Sequence, residues 1–174
     1  MKLIFVAGMA DIDRATIIDL SLQRAGHKQD FAVVDFDRID DIGEDVMAAE
    51  EFDAVRSMLS QFYEKTEKAM IAELKQQKAG IVVSGCLTFP TRYGYTRAAN
   101  EEFFRSFKPD IIVILERYAG AGKKTDAATT DHQRINRYYG TIYSSMCGSS
   151  LKLIKFRENR MMEAVAELAE VIKH

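Results

Sequence analysis

Residues 8–16 read GMADIDRAT and follow the apolar run KLIFVA (2–7). A turn between a first strand and a first helix is where a phosphate-binding loop sits, because backbone N–H groups and the helix N-terminus there attract anions. In the frame GxxxxGK[ST], Gly8 takes the first place, and Asp13, Arg14 and Ala15 take the last three, with Thr16 one place on. Glycines let the backbone curl round the anion, the lysine reaches the outer phosphates, and the hydroxyl holds Mg²⁺. Here an aspartate replaces the second glycine, arginine replaces lysine, and alanine removes the hydroxyl, which weighs against Mg²⁺. Asp11 and Asp13 would face an anion at short range. At ~4 Å and an effective dielectric of ~20, each repulsion is roughly 4 kcal/mol before relaxation. Two roles stay open: an anion site using Gly8, Arg14 and Thr16, or a plain helix start capped by Asp11 or Asp13.

The elements that must position this loop are legible as alternating patterns. KLIFVA (2–7), FAVVDF (31–36), GIVVSG (80–85), DIIVIL (110–115) and LKLIKF (151–156) predict five strands. Their apolar residues are too continuous for a one-sided sheet, so both faces should be covered. Helical patterns lie at about 14–26, at 45–78 in two pieces, and at 97–107, 130–146 and 159–173. In the last, Met161, Val165, Leu168 and Ile172 share a stripe, and Asn159 is placed to cap it. The expected fold is α/β, a five-stranded parallel sheet with helices on both faces, in a single domain over 1–174. The Ala-, Gly- and Thr-rich stretch 119–130 is the flexible-looking connection.

Charge adds a direction. The net charge is −2, which argues against nucleic acid as a partner. Asp35 to Asp53 carries nine acidic residues and one basic, whereas Glu116 to Arg160 carries nine basic and four acidic. An anionic ligand would prefer the C-terminal half, although solvated surface explains both stretches equally well. The acids Asp35, Asp37, Asp40, Asp41, Glu44 and Asp45 lack the spacing of a Ca²⁺ loop and predict no metal site. Cys86 and Cys147 read as reduced thiols, and the first apolar run is too short for a signal peptide. With no membrane-length apolar stretch, the expectation is a cytoplasmic protein. His132 has no readable nucleophile partner and is expected to orient a helix start. Tyr138, Tyr139 and Tyr143, near Arg134 and Arg137, can stack bases or serve as core.

KPDIIVILE (108–116), DHQRINRYYGTIYSSMCGSSLKLIKFREN (131–159) and TFPTRYGY (88–95) together resemble the archaeal-type adenylate kinases. Gly8 and Thr16 coincide with the ends of that family's loop, G-V-P-G-x-G-K-T-T. The resemblance implies a nucleoside-monophosphate-kinase fold of the phosphate-loop type. An arm at 37–78 would close on AMP and a lid at 117–130 on ATP, and the family tends to form trimers. It implies Arg56 as an AMP-side arginine, Arg137 as an arginine facing the phosphates, and Arg157 and Glu158 in an adenine loop. Thr88 and Tyr95 fall in the family's Thr-Pro and Gly-Tyr elements. On this resemblance Gly8, Asp11, Asp13, Arg14, Ala15, Thr16, Arg56, Thr88, Tyr95, Arg134 and Arg157 form the nucleotide-binding set, with Arg14 and Arg137 in catalytic positions.

The departures fall on the parts that transfer phosphate. Besides the loop, Ser84 stands where the family has aspartate, and Cys86 where it has histidine. The lid offers only Lys123 and Lys124 in place of a string of arginines. Phosphoryl transfer relies on positioning and charge neutralisation, so these losses compound. Three functions follow. One is an adenylate-kinase-related protein that binds a nucleotide or other phosphorylated small molecule with weak or no transfer. The second is an active kinase converting ATP and AMP to ADP. The third is a non-catalytic scaffold.

Overall fold

The computed structural model describes residues 1–39, 42–76, 78–120 and 122–174. Asp40 and Asp41 of the acidic run therefore lie outside the described residues, as does Ala121 of the lid stretch.

Five strands, β1 (Lys2–Ala7), β2 (Phe31–Asp35), β3 (Gly80–Gly85), β6 (Ile111–Tyr118) and β7 (Ser150–Arg157), form one sheet in the order β2-β3-β1-β6-β7. Every neighbouring pair in it is parallel. Alternation along each strand splits the core in two. Phe5, Ile81, Val83, Ile112 and Ile114 point to one face. Ile4, Val6, Val82, Val113 and Leu115 point to the other. Both faces are covered, which is why the strands read as unbroken apolar runs. Helices α1 (Arg14–Ala25) and α7 (Met161–Lys173) close the second face. Helices α4 (Phe52–Leu74), α5 (Glu101–Phe107) and α6 (Ala127–Cys147) close the first, with short α2 (Phe36–Ile39) and α3 (Gly43–Ala48) after β2. Among the described residues no helix is long and apolar enough to cross a membrane.

Three details differ from the sequence expectation. Residues 88–97 form an antiparallel hairpin, β4 (Thr88–Thr91) and β5 (Gly94–Arg97), where no strand is predicted and the fourth helical pattern begins. Pro90 inside a four-residue run hides the strand signal, and Gly94 supplies the turn with φ 117°. Phe36 leaves β2 and starts α2. Asn159 does not cap α7: Arg160 precedes the helix and makes no side-chain cap bond.

Gly140 sets how close α6 comes to the sheet. A Cβ there would lie 2.4 Å from Ile114 Cδ1, so any larger residue has to displace that buried methyl. On the same helix Tyr143 stacks on Phe104 at 4.1 Å and donates its hydroxyl to the Ala99 carbonyl at 2.7 Å.

Candidate functional site

The loop after β1 has closed on itself. Asp13 caps α1, its Oδ1 accepting the Thr16 N–H at 3.1 Å. Hydrogen bonds from Thr16, side chain and backbone, hold the Asp13 carboxyl below the usual carboxylate range. The Ile12 N–H goes to the Met9 carbonyl at 3.1 Å and the Arg14 N–H to the Ile12 carbonyl at 2.7 Å. Arg14, only 2 % exposed, turns back into the loop. Its Nη1 donates to the carbonyl oxygens of Gly8 at 3.0 Å and of Met9. Ile12 is buried and lies over Gly8, where an added Cβ would meet Ile12 Cδ1 at 3.4 Å and Arg14 Cδ at 3.5 Å.

In a phosphate cradle, N–H groups face the interior. Here two carbonyls face it and a guanidinium fills it. The expectation that Asp11 and Asp13 obstruct the cradle gives way to a different arrangement. Asp13 is spent on the cap, and Asp11 turns outward to an ion pair with Arg117, whose Nη1 also reaches the Asp11 carbonyl at 3.3 Å. Ala15 and Thr16 sit half-buried in the first turn of α1. Ser84, buried at the end of β3, lies across the ladder from Asp35. Burial raises the Asp35 carboxyl, while the Arg14 and Arg38 charges pull it back. The Arg14 guanidinium and the carbonyls it bonds thus occupy the loop interior, and Ala15 brings no hydroxyl to it.

The stretch DHQRINR (131–137) lies from the second turn of α6 onward, not at its start, and clamps that helix to the sheet end. Asp126 caps the helix, accepting the Thr129 N–H at 2.8 Å. His132 Nε2 meets the Thr88 carbonyl at 3.2 Å and hydroxyl at 3.0 Å, and the Thr88 hydroxyl also donates to Asn136 Oδ1 at 2.7 Å. Gln133 donates to the Arg117 carbonyl. Arg137 grips the buried Glu116 carboxylate through Nε and through Nη2, the latter at 2.8 Å. That bond raises the Arg137 pKa above its ordinary value. Burial pushes the His132 pKa down, with the Thr88 carbonyl and Asp11 opposing. Arg137 thus faces a carboxylate, while exposed Arg134 pairs with Asp131 at 3.0 Å.

The remaining predicted residues lie further out. Tyr95 stands over His132, ring centroids 5.0 Å apart. It lines a cleft of about 190 Å³ between the start of α4 and the hairpin, together with Phe52, Tyr93, Arg97 and Tyr139. Arg56 is exposed on α4, one turn past Phe52 and so on the same side of that helix, but does not line the cleft. Thr88 is buried behind it. Arg157, half-buried, ends β7 opposite Tyr118, away from this cleft. The sequence reading did not single out Glu116, Arg117 and Phe52. A carboxylate ending the apolar run IIVILE and an Arg-Tyr pair at once behind it were the available signals for the first two.

No protein-family model matches the chain. Among proteins of known name it is similar to the adenylate kinase of Methanopyrus kandleri, 27% identical over 117 residues, or 59% of this chain and 61% of that protein. It is similar over nearly its whole length to the adenylate kinases of Thermoplasma volcanium, at 23% identity over 97% of this chain and 98% of that one, and Methanocaldococcus jannaschii, at 24% over 99% and 98%. Among solved structures it is similar to dephospho-CoA kinase from Campylobacter jejuni, with a TM-score of 0.47 and 12% identity over 98% of each chain.

Proposed function

We propose that this protein is an adenylate-kinase-related nucleotide-binding protein whose phosphoryl transfer is weak or absent. Similarity to archaeal adenylate kinases over nearly the whole chain supports a nucleotide-kinase-like protein. The observation that carries the finer reading is the Arg14 guanidinium held by the Gly8 and Met9 carbonyls, where a triphosphate would need N–H donors. With Arg137 committed to Glu116, both arginines in catalytic positions are spent on the protein itself. Charge neutralisation is most of what such a reaction asks of its protein.

The nucleotide's place in this reading is the cleft between α4 and the hairpin. Its size admits a nucleobase ring, and Phe52, Tyr93, Tyr95 and Tyr139 offer aromatic faces for it. Arg56, exposed one turn past Phe52 on α4, is the cation this reading assigns to the phosphate. A monophosphate such as AMP, at about −2, asks less positive charge than ATP of a cleft whose own Arg97 already pairs with Glu101.

Thermal shift with AMP, ADP and ATP, with and without Mg²⁺, measures the linkage. Stabilisation by AMP that Mg²⁺ does not enhance, with no ADP formed from ATP and AMP in a coupled assay, is the expected result. ADP formation abolished by Arg14→Ala would instead establish an active kinase with Arg14 and Thr16 in the lost roles. The absence of any shift would favour a scaffold, a reading that the inward commitment of the α6 motif also supports.

A further inference from the structure

Away from both the loop and the aromatic cleft, the edge of the sheet at β2 is open. Strand β2 pairs with β3 on one side and, among the described residues, has no strand on the other. Its backbone groups on that side are a template for another extended chain. The side chains agree. Ala32 and Val34 enter the core under α4 and Phe31 enters the opposite core, but Val33, on the same face as Phe31, stays 44% exposed. Helix α1 stops short of covering it.

A groove of about 630 Å³ runs along this edge, walled by α1 on one face of the sheet and the second half of α4 on the other. Each wall is low where it meets the strand: Ala15 on α1, Ala69 and Ala72 on α4. Larger residues there would fill the slot. Five strand residues at ~3.3 Å each give a run of about 17 Å, the length over which a short extended segment pairs.

Charge selects the occupant. The groove carries Asp19 on the α1 wall, Glu73 on the α4 wall and Asp35 at its end, against Arg38. Neighbouring residues of a strand point to opposite faces. A strand laid along β2 therefore directs one side chain to the Asp19 wall and the next to the Glu73 wall. Asp19 pairs with exposed Lys28 at 2.9 Å, a surface pair of small worth that an incoming cation replaces at little cost.

We propose that this groove is a docking site for an extended, lysine- or arginine-bearing segment of a partner protein, which adds to the sheet beside β2 as a sixth strand. The inference does not rest on the nucleotide reading.

The probe is an acetylated, amidated hexapeptide of alternating lysine and valine, titrated into the full chain and followed by ¹⁵N–¹H correlation spectra. The expected result is saturable shifts clustered on the amides of 31–35 and 69–73, with no binding by the same peptide carrying glutamate for lysine. The double variant Ala72→Arg, Glu73→Lys, changed at the groove wall, should weaken binding about tenfold or more while keeping its melting temperature. Absence of saturable shifts at β2, equal binding of the glutamate peptide, or unchanged binding by the double variant overturns the proposal. So does light scattering that shows a dimer dissociated by the same variant, because a second copy would then be the occupant.

Discussion

Arg137 on α6 and Glu116 at the end of β6 form a two-pronged ion pair in which the carboxylate is 3% exposed and the guanidinium 42%. The pair fixes the helix carrying the family-like motif to the sheet. Removing the arginine leaves a buried charge without its partner, which typically costs ~3–5 kcal/mol. Solvent reaching the site from the arginine side lowers that to about 2–3 kcal/mol. Arg137→Ala should therefore shift the urea midpoint by that amount with an unchanged slope. An arginine serving only a ligand would leave the midpoint where it is.

The closed loop makes a second prediction. Arg14→Ala removes the donor for two inward-facing carbonyls, one of them on buried Gly8. Unsatisfied buried acceptors cost about 1–3 kcal/mol, so stability should fall by that much. Triphosphate affinity should not rise, since Ile12 still covers Gly8. The triple variant Asp11→Gly, Asp13→Gly, Arg14→Lys restores the glycines and the lysine and should raise triphosphate affinity about tenfold or more in calorimetry. Equal affinity of the triple variant and the native chain would remove the loop from the explanation.

At Gly140 the added methyl of Gly140→Ala meets Ile114 at 2.4 Å. Overpacking of this kind costs about 1–3 kcal/mol. Ile114→Ala removes the clashing atoms, so the double variant should be less destabilised than the sum of the singles. A double-mutant cycle reads this directly, and strict additivity would mean that α6 shifts rather than clashes.

The pH dependence follows from His132. Burial lowers its pKa in the folded state, so the unfolded chain binds the proton more readily. Stability then rises with pH through that window and is lost as pH falls below about 6.5, the unfolded value. Asp35, raised by burial, acts with the opposite sign from about pH 4 upward. Comparing melting temperatures of the native chain and His132→Gln at pH 5.5 and 7.5 isolates the histidine. The native protein should lose more on acidification than the variant, and equal losses would refute the assignment.

In the aromatic cleft, stacking of a base on a side chain is worth about 1–3 kcal/mol. Phe52→Ala should thus weaken AMP binding about tenfold. Arg56→Ala should weaken AMP and leave adenosine unaffected, measured by thermal shift. Loss of both ligands alike would place the phosphate elsewhere.

The sequence by itself determined the sheet. Five apolar runs alternating with helical patterns leave a parallel sheet covered on both faces as the arrangement that buries them, and all five strands occur within a few residues of their expected bounds. It also offered Asp11 or Asp13 as a helix cap, because such a bond is local; the structure uses Asp13, whose bond reaches three residues on. The hairpin at 88–97 escaped because a proline within four residues erases the pattern. What GMADIDRAT does was decided only in three dimensions. An arginine after a strand can reach out to an anion or fold back on its own carbonyls with equal local propensity. The choice here involves Arg117 drawing Asp11 outward and Ile12 closing into a core built from distant strands. Arg137 is the same case: its partner Glu116 lies on another element and comes within reach only when α6 is packed on the sheet.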